Sequence, residues 1–118
     1  MKTREIDRTM WNDYMAQISN LCLNRPVTLE LVSEDLGDQM VANHVSFMGM
    51  APELKGSEAC SVDIELARMG STDHLMQEVS CAQRVVVRED DDGTLMAMDI
   101  EGEDPMTHSR IKAIVTWD

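Results

Sequence analysis

The side chains that most often carry chemistry are scattered along this sequence instead of forming recognisable motifs. No histidine has a second histidine or a cysteine at metal-ligand spacing; the three are His44, His74 and His108. The acidic run at positions 90–92, before Gly93, lacks the alternating oxygen ligands and the distal glutamate of a calcium-binding loop. We therefore predict no metal site.

Cysteine and histidine could in principle form a nucleophile and its base. Cys81 with His74, or Cys60 with His44, supplies the residue types, but the same interpretation fits any chain with three of each. The odd cysteine count, completed by Cys22, and the absence of a C-x-x-C motif argue against a disulfide framework and favour reduced, buried thiols in the cytoplasm. Without a glycine-rich phosphate loop or a G-x-S-x-G motif, we predict no catalytic residue and no cofactor.

The charge balance excludes two classes of partner. The 118 residues carry 22 acidic and 10 basic side chains, a formal net charge of -12. Direct binding of nucleic acid is therefore not expected, because phosphates need a basic face. Binding to an anionic membrane is not expected for the same reason.

The acidic residues are concentrated towards the C-terminus. No lysine or arginine occurs between positions 89 and 109, and this stretch carries eight carboxylates: Glu89, Asp90, Asp91, Asp92, Asp99, Glu101, Glu103 and Asp104. We call these eight residues the acidic patch. One interpretation is a solvated edge that keeps the chain soluble. The others are a surface that steers a basic protein partner, or one that mimics nucleic acid.

One helix is predicted at the start of the chain, over about residues 8–23. Apolar residues from Ile6 to Leu21 recur at spacings of three and four, the period of one helical face. Asp7 or Thr9 can cap its first turn, and Pro26 prevents continuation beyond it. Trp11 is the largest side chain on the apolar stripe, and we predict that it anchors the helix on the rest of the fold.

After Pro26 the apolar period changes to two, the period of a half-buried strand, and persists to residue 117. Turn signals recur every eight to twelve residues, and no helix–strand alternation appears. We predict a single α+β domain over residues 1–118. It would have one N-terminal helix and a six- or seven-stranded antiparallel meander over about residues 27–117, strongly curved or closed as a small barrel.

Methionine is abundant and aromatic residues are few. The chain has 11 methionines, while aromatic residues make up only 3%. Methionine must therefore fill core volume that aromatic rings usually fill, or line an adaptable binding surface.

The segment Thr3-Arg4-Glu5-Ile6-x-Arg8-x-x-Trp11, followed after the helix by Val27-Thr28-Leu29-Glu30, resembles a family of short bacterial proteins, the domain-of-unknown-function family five-three-three-five. Segments 84–89 and 98–101 look like later strands of the same family. Members usually have proline after the isoleucine, where this chain has Asp7. The resemblance implies a bacterial, cytoplasmic protein and no assigned activity.

The sequence therefore favours a small non-enzymatic interaction module. Its partner would be a basic protein surface, or a second copy that pairs through an exposed sheet edge or a methionine-rich face. The alternatives are a small-ligand-binding or catalytic β-barrel, which needs an interior cavity, and an acidic inhibitor that mimics nucleic acid.

Overall fold

The computed structural model describes residues 1–55, 59–71 and 73–118, and for residues 54, 55, 59 and 60 it describes the backbone only. The described chain forms one helix and eight strands in a single antiparallel sheet. The elements are β1 (Lys2–Ile6), a 3-10 turn (Arg8–Met10), α1 (Trp11–Leu21), β2 (Pro26–Ser33), β3 (Gly37–Lys55), β4 (Ala59–Ala67), β5 (His74–Val79), β6 (Arg84–Glu89), β7 (Leu95–Glu103) and β8 (Arg110–Trp117).

The predicted combination of one N-terminal helix with an antiparallel sheet is confirmed, but the predicted strand count is wrong. The additional strand, β1, precedes the helix and pairs with β6. Only its last residue, Ile6, is buried, so the segment has no apolar alternation that would identify a strand. Ile6 lies in this strand, so its place in the helical spacing of the apolar residues was a coincidence.

The helix is shorter than the predicted range of about 8–23. The Asp7 carboxylate accepts hydrogen bonds from the backbone N–H and the hydroxyl of Thr9, at 2.9 and 2.7 Å, and this cap begins a 3-10 turn instead of an α-helical one. The α-helix begins only at Trp11. It ends at Leu21, because Asn24 adopts a φ of 68° and turns the chain into β2.

The predicted single meander is wrong, and of the two predicted shapes, strongly curved or closed as a small barrel, the closed one is wrong. The strand order of the sheet is β1-β6-β7-β8-β2-β3-β4-β5. Two meanders, one of β2 to β5 and one of β6 to β8, join where β8 pairs with β2. The sheet stays open, with β1 and β5 as its edge strands. β2 and β8 are far apart in the sequence. The local periodicity of apolar residues carries no information about which distant strands pair.

Strand β3 is long enough to serve two neighbours in turn. Its first half pairs with β2, and from Ser46 onwards it pairs with β4. Beyond the first residue of β2, Pro26, α1 lies beside β3 in place of β2. The Ser19 hydroxyl accepts a hydrogen bond from the Met50 N–H at 3.0 Å and lies 3.1 Å from the Met50 carbonyl oxygen. A side chain of the helix thus gives the Met50 N–H the partner that β2 no longer supplies.

The core lies between the inner face of the curled sheet and α1. Its largest fully buried side chains include Trp117, Phe47, Met15, Leu29, Ile64, Leu66, Met98 and Ile100. The rings of Phe47 and Trp117 meet edge to face, with centroids 5.2 Å apart. Met15 and Met98 thus occupy core positions, while other methionines, including Met76 and Met106, are exposed.

The sheet curls far enough for β5 to contact β7 and β8. At this contact the Glu103 N–H donates to the Ser80 carbonyl at 3.1 Å. Gly102 permits the approach, because a Cβ there would lie 2.3 Å from the Ser80 oxygen. No helix in the described part of the chain has the length and apolar character needed to cross a membrane.

Candidate interaction surfaces

The acidic patch begins in the β6–β7 hairpin, where most of its carboxylates bind groups of their own chain. Asp90 accepts the backbone N–H groups of Asp92 and Thr94, each at 2.9 Å, and so closes the turn. Asp91 pairs with the N-terminal amine at 2.9 Å. Glu89 pairs with Arg4 at 2.9 Å. Only Asp92, among the eight patch residues, has no described side-chain partner.

The remainder of the patch follows β7 to its other end. Asp99 pairs with Arg88 at 3.2 Å, and Glu101 pairs with Arg84 at 3.6 Å. Asp104 closes the β7–β8 loop by accepting backbone N–H groups of Met106 and Thr107, which hold the pKa of its carboxyl below the usual value.

The eight carboxylates therefore extend from the β6–β7 hairpin at one end of β7, along its second half, to the β7–β8 loop at its other end. The two ends of β7 are roughly 27 Å apart at about 3.3 Å per residue. Glu103, near one end, lies 3.7 Å from the imidazole of His108. That the acidic patch is a docking surface stays a prediction. Most of its carboxylates bind groups of their own chain, so fewer of them are available to a partner than their number implies.

Trp11 lies in the core at the junction of β1 and α1. It is 2% exposed, and its indole N–H donates to the Ile6 carbonyl at 3.0 Å. The Arg8 guanidinium lies 5.3 Å from the ring centroid. These contacts fix the entry of the chain from β1 into the helix.

A cleft of about 380 Å³ opens between α1 and the β6–β7 hairpin. Tyr14 lines it, and its buried hydroxyl has no described hydrogen-bond partner. Burial, followed by the charge of Glu89, raises the pKa of Tyr14 to about 12. Arg25 lines the same cleft, and its guanidinium lies 3.6 Å from the buried Cys22 thiol.

The remaining histidines and cysteines form no metal cluster within the described residues. His44 lies 3.1 Å from the Asp118 carboxylate. Cys81 is exposed, which corrects the expectation that every thiol is buried; it lies in the tight β5–β6 connection with a φ of 50°. The Cys60 side chain lies outside the described part of the chain, so the proposed pair with His44 does too.

The two edge strands differ in how they are protected. β1 presents Lys2, Arg4 and Glu5 at its edge, and charged side chains discourage pairing with another sheet. β5 presents Leu75 and Met76, which are 41% and 57% exposed. No lysine or arginine occurs between Met69 and Gln83.

The backbone of β5 is open on the side away from β4. Outside its ladder with β4, the one described hydrogen bond to the backbone of residues 74–78 is a local one, from the Gln77 amide to the Glu78 carbonyl at 3.1 Å. The first half of β3 is also unpaired on one side, but a bulge lies between Ala42 and Val45, and bulges twist an edge away from partners. β5 is therefore the regular, apolar edge of the sheet.

The two faces of β5 have different chemistry. Leu75 and Gln77 stand opposite Leu66 and Ile64, which are fully buried, so they share the core-side face. A cleft of about 500 Å³, with apolar walls that include Val41, Met69 and Leu75, adjoins this face.

His74, Met76 and Glu78 share the outer face of β5. Glu78 stands opposite Asp63 of β4. Burial, then the charges of Glu53 and Glu78, raises the pKa of Asp63. Negative charge therefore accumulates where β5 ends, while Arg68 lies near its start, just after the residue opposite His74.

Comparison with known proteins places the chain in a family. The model of the family of unknown function DUF5335 matches residues 2–112. The chain belongs to this DUF5335 family. The match covers nearly the entire chain and agrees with the resemblance seen around Thr3 to Trp11, but it carries no activity.

A solved structure shares the fold of this DUF5335 member. It is the crystal structure of the YojF protein of Bacillus subtilis, 12% identical, with a TM-score of 0.52, covering 100% of this chain and 96% of that one. At this identity the likeness shows the fold alone. No curated protein matches the chain.

The exposed edge of β5 was not predicted as a site. The sequence does hold a signal, because residues 74–80 lie inside a stretch that has no lysine or arginine. The strand order is needed to show that β5 is an edge strand. The absence of lysine and arginine matters only at an edge, where such residues would discourage pairing with another strand.

Proposed function

We propose that this DUF5335 protein is an interaction module, not an enzyme, and that it binds by accepting a partner strand along β5. The observation that carries the proposal is the contrast between the charged edge β1 and the open, apolar edge β5. In strand addition, main-chain hydrogen bonds supply affinity and pockets beside the strand supply specificity. β5 offers both, through its unpaired outer backbone and the adjoining cleft.

Natural proteins usually block edge strands of this kind. Lysine, proline, a bulge or a covering loop is the common device. Within the described part of the chain, residues 74–78 have none of these, and Leu75 and Met76 remain exposed. An edge left open at this cost in solubility is expected where a partner covers it.

Site-specific photo-crosslinking in living cells tests the proposal. A photoreactive amino acid replaces Met76, and in a control it replaces Met106, which is 88% exposed in the distant β7–β8 loop. We expect discrete crosslinked products from position 76 and none in common with position 106. No product at 76, or the same products at both positions, would contradict strand addition at β5.

A second candidate function is favoured by the Tyr14 hydroxyl. A buried donor without a partner is uncommon in native proteins, and a small ligand with an acceptor oxygen could satisfy it in the 380 Å³ cleft. Thermal-shift titration with a panel of small carboxylic acids tests this candidate. Stabilisation of the native chain that Tyr14→Phe abolishes would support it, and equal behaviour of both proteins would exclude it.

A further inference from the structure

We propose that the strand accepted by β5 is the β5 strand of a second copy of this chain. This inference rests on the proposed function and names its partner. Antiparallel pairing of two identical edges about a two-fold axis joins the two sheets into one continuous sheet. The order of residues along β5 and the side chains at its two ends favour self-pairing.

A two-fold axis at Met76 gives a complementary register. Met76 then faces Met76 of the second copy, and Leu75 faces Gln77. His74 faces Glu78 of the second copy, and symmetry makes this imidazole–carboxylate contact twice. An imidazole N–H can donate a hydrogen bond to the carboxylate that it faces, and apolar Met–Met contact occupies the centre.

The neighbouring registers lack this complementarity. A shift of one residue in one direction places Asp73 opposite Glu78, and like charges that face each other are destabilising. A shift in the other direction places Leu75 opposite Glu78. Of these three registers, the one centred on Met76 is therefore the one that the side chains favour.

Strand β4, the one neighbour of β5 in the described sheet, has the same order of charges. Asp63 lies beside Glu78 at the end of β5, and the exposed Arg68 follows the residue beside His74 at its start. Antiparallel pairing aligns Asp63 of one copy with the Arg68 end of the other, but the two β4 strands are about three strand spacings apart, so salt screens this attraction. Glu65, which lies beside Met76, is separated from its counterpart by about three strand spacings of roughly 4.8 Å, which exceeds the Debye length of about 8 Å at physiological salt.

The net charge makes self-pairing distinguishable from binding to a basic protein. Each copy carries a net charge of -12, so two copies repel one another at long range, and added salt screens that repulsion. Self-association should strengthen as salt rises. A complex with a basic protein should weaken, because salt screens its attraction.

Analytical ultracentrifugation of the full chain over a range of concentrations tests the proposal. We expect a monomer–dimer equilibrium whose dissociation constant falls as NaCl rises from about 0.05 to about 0.5 M. Met76→Lys places two ammonium groups face to face and should weaken the dimer by at least about tenfold. Met106→Lys changes the charge equally and should leave it unchanged.

Charge exchange tests the pairing of His74 with Glu78. His74→Glu opposes two carboxylates and should weaken the dimer on the order of tenfold, while His74→Glu combined with Glu78→His should recover most of the loss. If the single and the combined variants dimerise equally well, the register is wrong.

Disulfide trapping tests the same register by distance. In a Cys81→Ser background, Met76→Cys should crosslink to itself under mild oxidation, because directly opposed Cα atoms lie about 4.5–5.5 Å apart, within disulfide range. Glu78→Cys should not, since the two copies of residue 78 are four residues out of register. Trapping at 78 but not at 76 would overturn the proposal.

The outcomes separate this inference from the proposed function. A chain that stays monomeric at all concentrations, yet crosslinks at position 76 to a different protein, shows that the partner is not a second copy, while strand addition at β5 stands. A chain that forms a dimer insensitive to Met76→Lys uses another surface, and a chain that neither dimerises nor crosslinks at 76 defeats both proposals.

Discussion

The Tyr14 hydroxyl shows how one residue's environment changes its chemistry. It lies buried in the cleft between α1 and the β6–β7 hairpin without a described hydrogen-bond partner, and Glu89 adds negative charge nearby. Both conditions disfavour the phenolate, since burial removes water from the charged form and a like charge repels it. The pKa of Tyr14 accordingly rises from 10.0 to about 12.

Tyr14 is the chain's only tyrosine, so ultraviolet titration reports on it alone. We expect a midpoint near pH 12 in the folded chain and near the ordinary tyrosine value of about 10 after unfolding in urea. Because the folded-state pKa is the higher one, the unfolded chain loses its proton first. Stability should therefore fall as the pH rises from about 10 to 12. A folded-state midpoint near 10 would contradict the buried position of the hydroxyl.

At the scale of single residues, the sequence predicts which side chains are buried in the core better than it predicts which side chains are exposed. The burial of Trp11 follows from its place on an apolar stripe. The exposure of Cys81 does not follow from its type, because it depends on a connection that runs across the surface between β5 and β6. The acidic patch was visible as composition, but the ion pairs to Arg4, Arg84 and Arg88 depend on strand pairing.

At the scale of elements, α1 does more than cover the sheet. Its Ser19 side chain accepts the Met50 N–H at the place where β2 no longer reaches β3. Periodicity predicted the helix and its apolar face. It could not predict this substitution of a helix for a strand, because a polar residue that bonds to a strand backbone leaves no signal in the apolar pattern.

Removal of the Ser19 hydroxyl should destabilise the chain measurably. Ser19→Ala leaves the Met50 N–H without its side-chain partner, and an unsatisfied buried group costs about 1–3 kcal/mol. Urea denaturation of the variant measures the loss. Ser71→Ala, in the exposed β4–β5 turn, is the matched control and should cost less. Equal losses in the free energy of unfolding would show that the Ser19 hydrogen bond to Met50 does not stabilise the strand.

At the scale of the whole molecule, the open sheet depends on one close approach. The β5–β6 connection crosses β7 at Gly102, where no side chain fits beneath the Ser80 carbonyl. This crossing carries the chain from one meander to the other. The sequence shows Gly102 only as a turn signal, because the reason for the glycine lies 22 residues away at Ser80.

Gly102→Ala should therefore loosen the crossing. The added methyl group would stand 2.3 Å from the Ser80 oxygen and 2.9 Å from a Val79 methyl, so the connection must shift. Overpacking of this kind costs typically about 1–3 kcal/mol. Gly70→Ala is a control with open space around it, although its positive φ of 74° brings a strain of its own. A Gly102→Ala variant as stable as the native chain in urea would refute a tight crossing.

Hydrogen exchange resolved to single amides, at low and at high protein concentration, tests strand addition at β5 most directly. Pairing would protect the outward amides of residues 74–78 as concentration rises, while the amides of β1, the charged edge, stay unchanged. Strand addition at β5 predicts this selective gain in protection and its loss in Met76→Lys. Exchange in β5 that is independent of concentration, or protection that appears at β1 instead, would contradict it.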